Sequence, residues 1–236
     1  TALAQELQRG LMGEVKVNEP LAQYTTWRLG GPADLFYQPG SKEELLTCLD
    51  FARQKGLPLH VIGNGSNILV LDGGVRGLVL QTREWRQAKM QAQGLWAAAG
   101  ALINELLRNA ISYGLGGLEF AAGIPATIGG AAVTNAGTSC GCMGDIIRGV
   151  EVISSQGTWR YLGRHEINFG YRSSSLRQEG IIAAVDLELP PTGTEAIRRE
   201  VKTSLLQRRA RQPLGWPNAG SVFKNPPGHF AGQLIE

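Results

Sequence analysis

Glycine constrains this chain more than any other residue. There are 32 glycines in 236 positions, about twice the ~7% of average usage, and they gather where apolar runs end rather than in linkers. Each marks a tight turn or a place where something must approach the backbone closely. Between Gly116 and Gly149 small residues, glycines and Pro125 make a stretch almost free of charge until Asp145. So little charge argues against a solvated linker. The expectation is buried main chain wrapped against something large.

The apolar periodicity on either side is mixed. Leu57–Ile62, Asn67–Leu71 and Val75–Leu80 read as short strands punctuated by Gly63, Gly65, Gly73 and Gly74. Ser41-Lys42-Glu43-Glu44 is a capping-box pattern opening a helix, with Leu45, Leu49 and Ala52 on its apolar face and Gly56 at its end. A second helix is predicted from Ala101 to Tyr113, with Leu102, Leu106 and Ala110 along one side. Val150–Ser154, Thr158–Leu162 and Ile181–Leu189 read as further strands. The order is α+β rather than a repeat of strand–helix units. Pro190-Pro191 is the best boundary, after which Thr194 is placed to cap a helix reaching Arg209, with Ile197, Val201 and Leu205 on one face. His229 to Glu236 reads as the opening turns of another helix, and with no stop signal after it the chain is expected to be truncated.

Charge narrows the function. A net charge of +3 is too small to imply a nucleic-acid or membrane partner. No apolar run reaches the roughly 18 residues of a membrane span. Thr1 to Gly10 carries Glu6 and Arg9 and lacks the apolar core of a signal peptide, so the expected location is the cytoplasm. The basic residues Arg198, Arg199, Lys202, Arg208 and Arg209 alternate with Glu195 and Glu200, as on a solvated helix face, and no aromatic residues interleave to stack bases. Cys140 and Cys142 form a C-x-C without a second ligand pair at zinc spacing, so no metal site is expected.

Four segments carry chemistry. In Gly63-Asn64-Gly65-Ser66-Asn67 a strand ends in a turn whose successive amides can form an anion nest, although the dinucleotide fingerprint G-x-G-x-x-G is absent. A plain tight turn would fit these residues equally well. Gly123, Ile124, Pro125, Thr127, Gly129 and Gly130 lie in a second small-residue run, open either to a flat ligand or to close strand packing. In Asn168–Ser173, Arg172 beside Tyr171 reads either as an ordinary surface arginine in a loop or as a guanidinium fork suited to a carboxylate. Ser221, in Asn218–Pro226, has no histidine base in its motif and no G-x-S-x-G elbow; a catalytic role for its hydroxyl would be proton donation rather than attack.

Taken together, GNGSN at 63–67, GLGGLEFAAGIPATIGGAAVTNAG at 114–137, FGYRSS at 169–174 and NAGSVFKNP at 218–226 resemble, in order and spacing, the UDP-N-acetylenolpyruvoylglucosamine reductase (MurB) family, as does TTWRLGGPAD at 25–34. The short path from Asp186 to the last segment is similar to the family's type II branch. The resemblance implies an FAD-binding fold of the p-cresol methylhydroxylase/vanillyl-alcohol oxidase type with a separate C-terminal α+β substrate-binding domain. The units would be 1–80 and 81–190 for the flavin and 191–236 for an incomplete substrate-binding part.

What the resemblance implies for chemistry is specific. NADPH reduces non-covalent FAD, and the reduced flavin then reduces UDP-N-acetylglucosamine enolpyruvate to UDP-N-acetylmuramate, in a protein expected to be a monomer. Ser221 corresponds to the proton donor and Arg172 to the cation that stabilises the enolate-like intermediate. Gly63 to Asn67 and Gly123 to Ala131 correspond to the flavin cradle, and Arg211, Lys224 and Asn225 to substrate contacts. The family's C-terminal glutamate has no counterpart before Glu236. Covalent flavins in related folds hang on histidine or cysteine in the glycine loops, where this chain has Asn64 and Ser66. Acid or heat precipitation of the purified protein is therefore expected to leave all the flavin in the supernatant; yellow colour retained in the pellet would contradict a non-covalent cofactor.

Overall fold

A computed structural model describes residues 1–212 and 215–236, with Arg211 described in its backbone alone. The elements follow in the order α1 (Ala2–Gln8), β1 (Lys16–Pro20), β2 (Pro32–Tyr37), α2 (Lys42–Lys55), β3 (Leu59–Ile62), β4 (Val75–Gln81), β5 (Ala88–Gln91), β6 (Gly94–Ala98) and α3 (Ile103–Ser112). After them come α4 (Ile128–Thr134), β7 (Gly137–Thr138), β8 (Gly141–Cys142), α5 (Met143–Ile146), β9 (Ile147–Ile153), β10 (Trp159–Gly163), β11 (Phe169–Gly170), β12 (Ser173–Ser174), α6 (Leu176–Glu179), β13 (Ile181–Glu188), α7 (Thr194–Arg211) and α8 (Ala231–Ile235).

Two sheets organise these elements. The first has the order β1-β2-β4-β3, with β1 antiparallel to β2 and the other pairs parallel. The parallel strands β2 and β3 flank β4, and α2 supplies the crossover that joins them. Ser41 caps α2 by accepting the Glu44 N–H, and Gly56 closes it at φ +62°, a left-handed position that glycine takes without a Cβ penalty. The expected capping box is not reciprocal. The Glu44 carboxylate turns instead to the Gly40 N–H at 2.7 Å, the Met12 N–H at 3.2 Å and the Tyr37 hydroxyl at 2.6 Å. Leu45, Cys48, Leu49 and Ala52 pack with Leu35, Tyr37, Leu78 and Leu80, and with Ala98, Ile153 and Ala183 of the second sheet.

The second sheet, β10-β9-β13-β6-β5, is antiparallel throughout. Its core includes Leu95, Ala97, Val150, Val152, Val185 and Leu187, under α3 and α4. The uncharged stretch expected to be buried is part of this core, contributing Leu118, Phe120, Ala121, Ala122, Ile128, Ala131 and Ala132. Helix α3 buries Ile103, Leu106, Leu107 and Ala110, whereas Leu102, expected on that face, stands before the helix as its N-cap residue. Helix α7 rests on the same core through Val201 and Leu205, and its Ile197 is buried.

Two expectations are corrected. Asn67–Leu71 is not a strand. The Gly63–Gly65 turn carries the chain out of the sheet after β3, and Leu69 and Leu71 face solvent without a ladder partner. Thr194 does not cap α7: the cap position is Gly193, and the Thr194 hydroxyl donates to the Ile111 carbonyl at 3.2 Å, tying α7 to α3.

The Tyr37–Glu44 tie joins β2 to α2. Burial alone would raise the Glu44 carboxyl, but the hydrogen bonds from Tyr37, Gly40 and Met12 outweigh it and hold its pKa below the ordinary carboxylate value. A depressed folded-state pKa contributes stability above the unfolded pKa and loses it as pH falls through the folded one. Tyr37→Phe removes one hydrogen bond to this carboxylate and is expected to cost about 1–2 kcal/mol of unfolding free energy at pH 7. In denaturant titrations at successively lower pH the difference from wild type should shrink as Glu44 protonates; a difference independent of pH would contradict this account.

Candidate active site

The two glycine-rich segments touch. A Cβ on Gly63 would fall on the Thr127 hydroxyl, so the first loop can lie against the second only with no side chain there. The Asn64 side chain donates to the Pro125 carbonyl at 2.6 Å and fixes the approach. Gly65, buried at φ +63°, presents its α-carbon to the Tyr24 carbonyl, which a Cβ would strike, and its own carbonyl accepts the Thr26 N–H at 3.1 Å.

The loops differ in what they leave available. In the second, the Gly129 N–H donates to Ala99 O at 3.0 Å, the Gly123 N–H to Asn104 Oδ1 at 3.2 Å, and the Gly130 N–H to the Thr127 hydroxyl at 3.4 Å. Ile124 packs against the second core, and Gly129 admits Ala99. Close packing thus accounts for the small residues of this segment. In the first loop, no acceptor is found among the described residues for the N–H groups of Asn64, Gly65, Ser66 and Asn67. Gly65 gives this row the curvature of an anion-binding nest.

A second orphan lies beside Gly123. Arg208 of α7 passes over that glycine, with its Cδ 3.1 Å from where a Cβ would sit, and its Nε is buried without a partner among the described residues. Burial pushes the Arg208 pKa below the ordinary guanidinium value. Unpaired amides at one loop and an unpaired guanidinium nitrogen at the other are what an anionic, acceptor-rich ligand such as FAD would satisfy.

Arg172 and Ser221 come together. β11 and β12 form a hairpin with Gly170 opposite Ser173, so Tyr171 and Arg172 are its two turn residues. Arg172 sits at φ +53°, a conformation uncommon outside glycine, asparagine and aspartate. Its Nη1 donates to Phe223 O at 2.7 Å and its Nη2 to Ser221 O. Two of the five N–H donors of a guanidinium are thereby used, leaving the rest for a ligand. Ser221 is exposed. Upstream of it the Thr26 hydroxyl donates to Asn218 O at 2.6 Å. Thr26 also holds Gly65, so one chain of hydrogen bonds runs from the first glycine loop to the 218–221 segment, and Arg172 grips that segment's far end.

Downstream, the Asn225 N–H approaches the Tyr171 hydroxyl at 3.4 Å, and Asn225 Oδ1 accepts the Ala231 N–H at 3.0 Å at the start of α8. This leaves its Nδ2 for a substrate. Lys224 is exposed. The side chain of Arg211 lies outside the described residues. Thr26, Arg208 and the framework residues Asn135 and Arg164 were not singled out as site residues from the sequence. Only Asn135 had a local signal, as an asparagine ending a run of helix-compatible residues where a left-handed cap is common.

Relatives bear on the same segments. A model of the FAD-binding domain matches residues 33–163, and a model of the UDP-N-acetylenolpyruvoylglucosamine reductase C-terminal domain matches residues 212–236. The UDP-N-acetylenolpyruvoylglucosamine reductase of Moorella thermoacetica is 61% identical over the whole chain, which spans 78% of that relative. The crystal structure of the reductase (MurB) from Thermus caldophilus superimposes with a TM-score of 0.81 at 39% identity, over 94% of this chain and 79% of that one. A 6-hydroxy-D-nicotine oxidase from Arthrobacter nicotinovorans, at 18% identity and a TM-score of 0.62 over 77% of this chain and 43% of its own, shares the fold alone.

The loop contact predicts its own test. Gly63→Ala must displace Thr127 or the loop, at about 1–3 kcal/mol for an overpacked site, and should weaken flavin retention on gel filtration. Thr127→Ala removes the hydroxyl and methyl that the new Cβ meets, so the double variant should be more stable than additivity of the two single losses allows. Simple additivity would show that the two loops do not meet at this point.

Proposed function

This chain belongs to the UDP-N-acetylenolpyruvoylglucosamine reductase family of FAD-dependent enzymes of peptidoglycan synthesis, and we propose the following division of the reaction among its residues. When bound, FAD would supply the redox chemistry that links NADPH to the enolpyruvyl group. The amides of Asn64 to Asn67 hold the cofactor diphosphate, and the segment containing Gly123, Ile124, Pro125, Thr127, Gly129 and Gly130 walls the flavin. Residues 1–80 and 81–190 form the flavin-binding units around the two sheets. Residues 191–236 begin the substrate-binding part, with α7 seated on the second core.

At the substrate, hydride addition drives negative charge toward the carboxylate. The Arg172 guanidinium faces that charge, and a fixed cation there lowers the barrier because the added charge is absent from the ground state and builds through the transition state toward the enolate-like intermediate. The Ser221 hydroxyl gives its proton to the carbon bearing the carboxylate. A serine is a weak acid, but the species it protonates is a strong base, so placement outweighs acidity. Arg211, Lys224 and the Nδ2 of Asn225 take the sugar nucleotide. This reading has the enzyme act as a cytoplasmic monomer.

The observation that carries the assignment is the double hydrogen bond from Arg172 to the Ser221 and Phe223 carbonyls, together with the Thr26 link back to the first glycine loop. These contacts support placing the carboxylate-binding cation, the hydroxyl and the cofactor amides around one cleft. Ser221→Ala is expected to leave flavin bleaching by NADPH near the wild-type rate. Reoxidation by the enolpyruvyl substrate should slow by more than the ~10²–10⁴ of ordinary general acid catalysis, since no other donor is described at that position. Stopped-flow absorbance separates the two half-reactions, and equal slowing of both would rule out the proton-donor role.

A further inference from the structure

Arg172 needs an external support. A two-residue turn with an arginine in the left-handed region is not a conformation the hairpin would choose alone, since non-glycine residues there carry strain of order 1–3 kcal/mol that surrounding structure must over-determine. β11 and β12 contribute only Phe169–Gly170 and Ser173–Ser174, too short a ladder to hold a turn by itself. The restraint has to come from outside the hairpin.

It comes from the end of α4. Asn135 terminates that helix in the left-handed conformation, φ +48° and ψ +53°, and Ala136 N–H returns to Ala131 O at 2.8 Å. The Asn135 side chain is 8% exposed and bridges two distant segments. Its Nδ2 donates to Gly170 O, immediately before the turn, at 3.0 Å, and its Oδ1 accepts the N–H of Gly144 in α5 at 2.8 Å. The amide orientation follows from the partners, because Gly144 N–H can only donate and Gly170 O can only accept.

The segment opposite is itself pinned. Arg164 donates Nε to Gly144 O at 3.0 Å and Nη1 to Ile167 O at 3.1 Å, with its guanidinium 4.9 Å from the Phe169 ring centroid. Gly144 has no room for a side chain: a Cβ would come within 2.7 Å of that ring. The Ser174 hydroxyl donates to Val133 O at 2.8 Å and ties the other strand of the hairpin to α4. The hairpin is thus held from its outer side by α4 and α5, while Arg172 reaches from its tip to the 221–223 segment.

We infer that Asn135 is the positioning residue for Arg172: its carboxamide sets the Gly170 peptide so that the guanidinium meets both the Ser221 segment and the substrate carboxylate. The inference rests on the role proposed above for Arg172. Serine and threonine put donor and acceptor on a single oxygen, whereas asparagine carries them on two separate atoms, one for each partner. Aspartate keeps the acceptor for Gly144 but sets a carboxylate against the Gly170 carbonyl. Glycine keeps the backbone conformation and loses both bonds.

The test uses the full-length flavoenzyme with Asn135→Gly, Asn135→Asp, Arg172→Ala and Asn135→Gly/Arg172→Ala. Each is reduced by NADPH and, separately, photoreduced and mixed with the enolpyruvyl sugar nucleotide. Asn135→Gly and Asn135→Asp are expected to reoxidise about ten- to a hundredfold more slowly, the cost of misplacing a reacting group by about an ångström, with NADPH reduction near normal. In the Arg172→Ala background the Asn135→Gly change should have no further effect on reoxidation. Should glycine prove too unstable to purify, aspartate alone decides the point. Wild-type reoxidation in either Asn135 variant, slowing of both half-reactions in step with a lowered Tm, or a full additional loss in the double variant would overturn the positioning role. Normal reoxidation in Arg172→Ala would instead remove its premise.

Discussion

Main chain packed directly on main chain is the constraint on which this structure depends. A Cβ at Gly31 would strike Asp72 O, at Gly74 Pro32 O, at Gly77 Pro58 O, at Gly94 Leu187 O, at Gly100 Thr82 O and at Gly180 Ile153 O. A backbone carbonyl cannot swing aside as a side chain can, so each contact fixes the spacing of two segments. Gly65 against Tyr24 O is the same device at the cofactor loop. The consequence is local to the first loop as well: it is held by such contacts while the N–H groups of Asn64 to Asn67 find no acceptor among the described residues.

The site then borrows its rigidity from these contacts. Neither the 63–67 loop nor the 169–174 hairpin has enough internal hydrogen bonding to hold its shape. The first is tied by Thr26 and by Asn64 to Pro125, the second by Asn135 and Ser174 to α4. Because α4 is capped at its start by Thr127, whose hydroxyl lies against Gly63, and at its end by Asn135, which holds Gly170, one seven-residue helix fixes both the 63–67 loop and the 169–174 hairpin. Its small residues Gly129, Ala131 and Ala132 are buried against the second core, so the reference frame for the site is a helix packed into the interior, where there is little room to shift.

Legibility in the sequence followed the range of the interactions. Helix α2 was readable because Ser41 and Gly56 are local signals within one element. β9 and β13 are readable from their branched apolar residues, and β10 from the aromatic Trp159 and Tyr161 that strands favour. β5 and β6 are not, since Ala88–Gln91 and Gly94–Ala98 carry alanine and glutamine where strand propensity expects branched side chains; pairing of β6 to β13, and of β5 to β6, supplies what propensity does not. Asn67–Leu71 misled for the opposite reason, having strand-like residues with nothing to pair to. At the site, Arg172, Ser221 and the glycine loops were legible as motifs. The ties among them were not: Asn135 acts through Gly144 and Gly170, and Thr26 through Gly65 and Asn218, partners that no local pattern joins.

The choice of arginine at 172 follows from having to serve two surfaces. The same guanidinium holds the carbonyls of Ser221 and Phe223 and still has N–H donors left over. A lysine ammonium is a point charge with three donors on a freely rotating head, and it could satisfy one surface only by leaving the other. The planar fork makes the two tasks geometrically dependent: wherever the charge is fixed, the 221 segment is fixed with it. The Ser221 segment and the Arg172 guanidinium therefore keep their separation even if the whole hairpin shifts slightly. That covariance accounts for a strained left-handed arginine at the turn, because relaxing its backbone would turn the fork away from both partners at once.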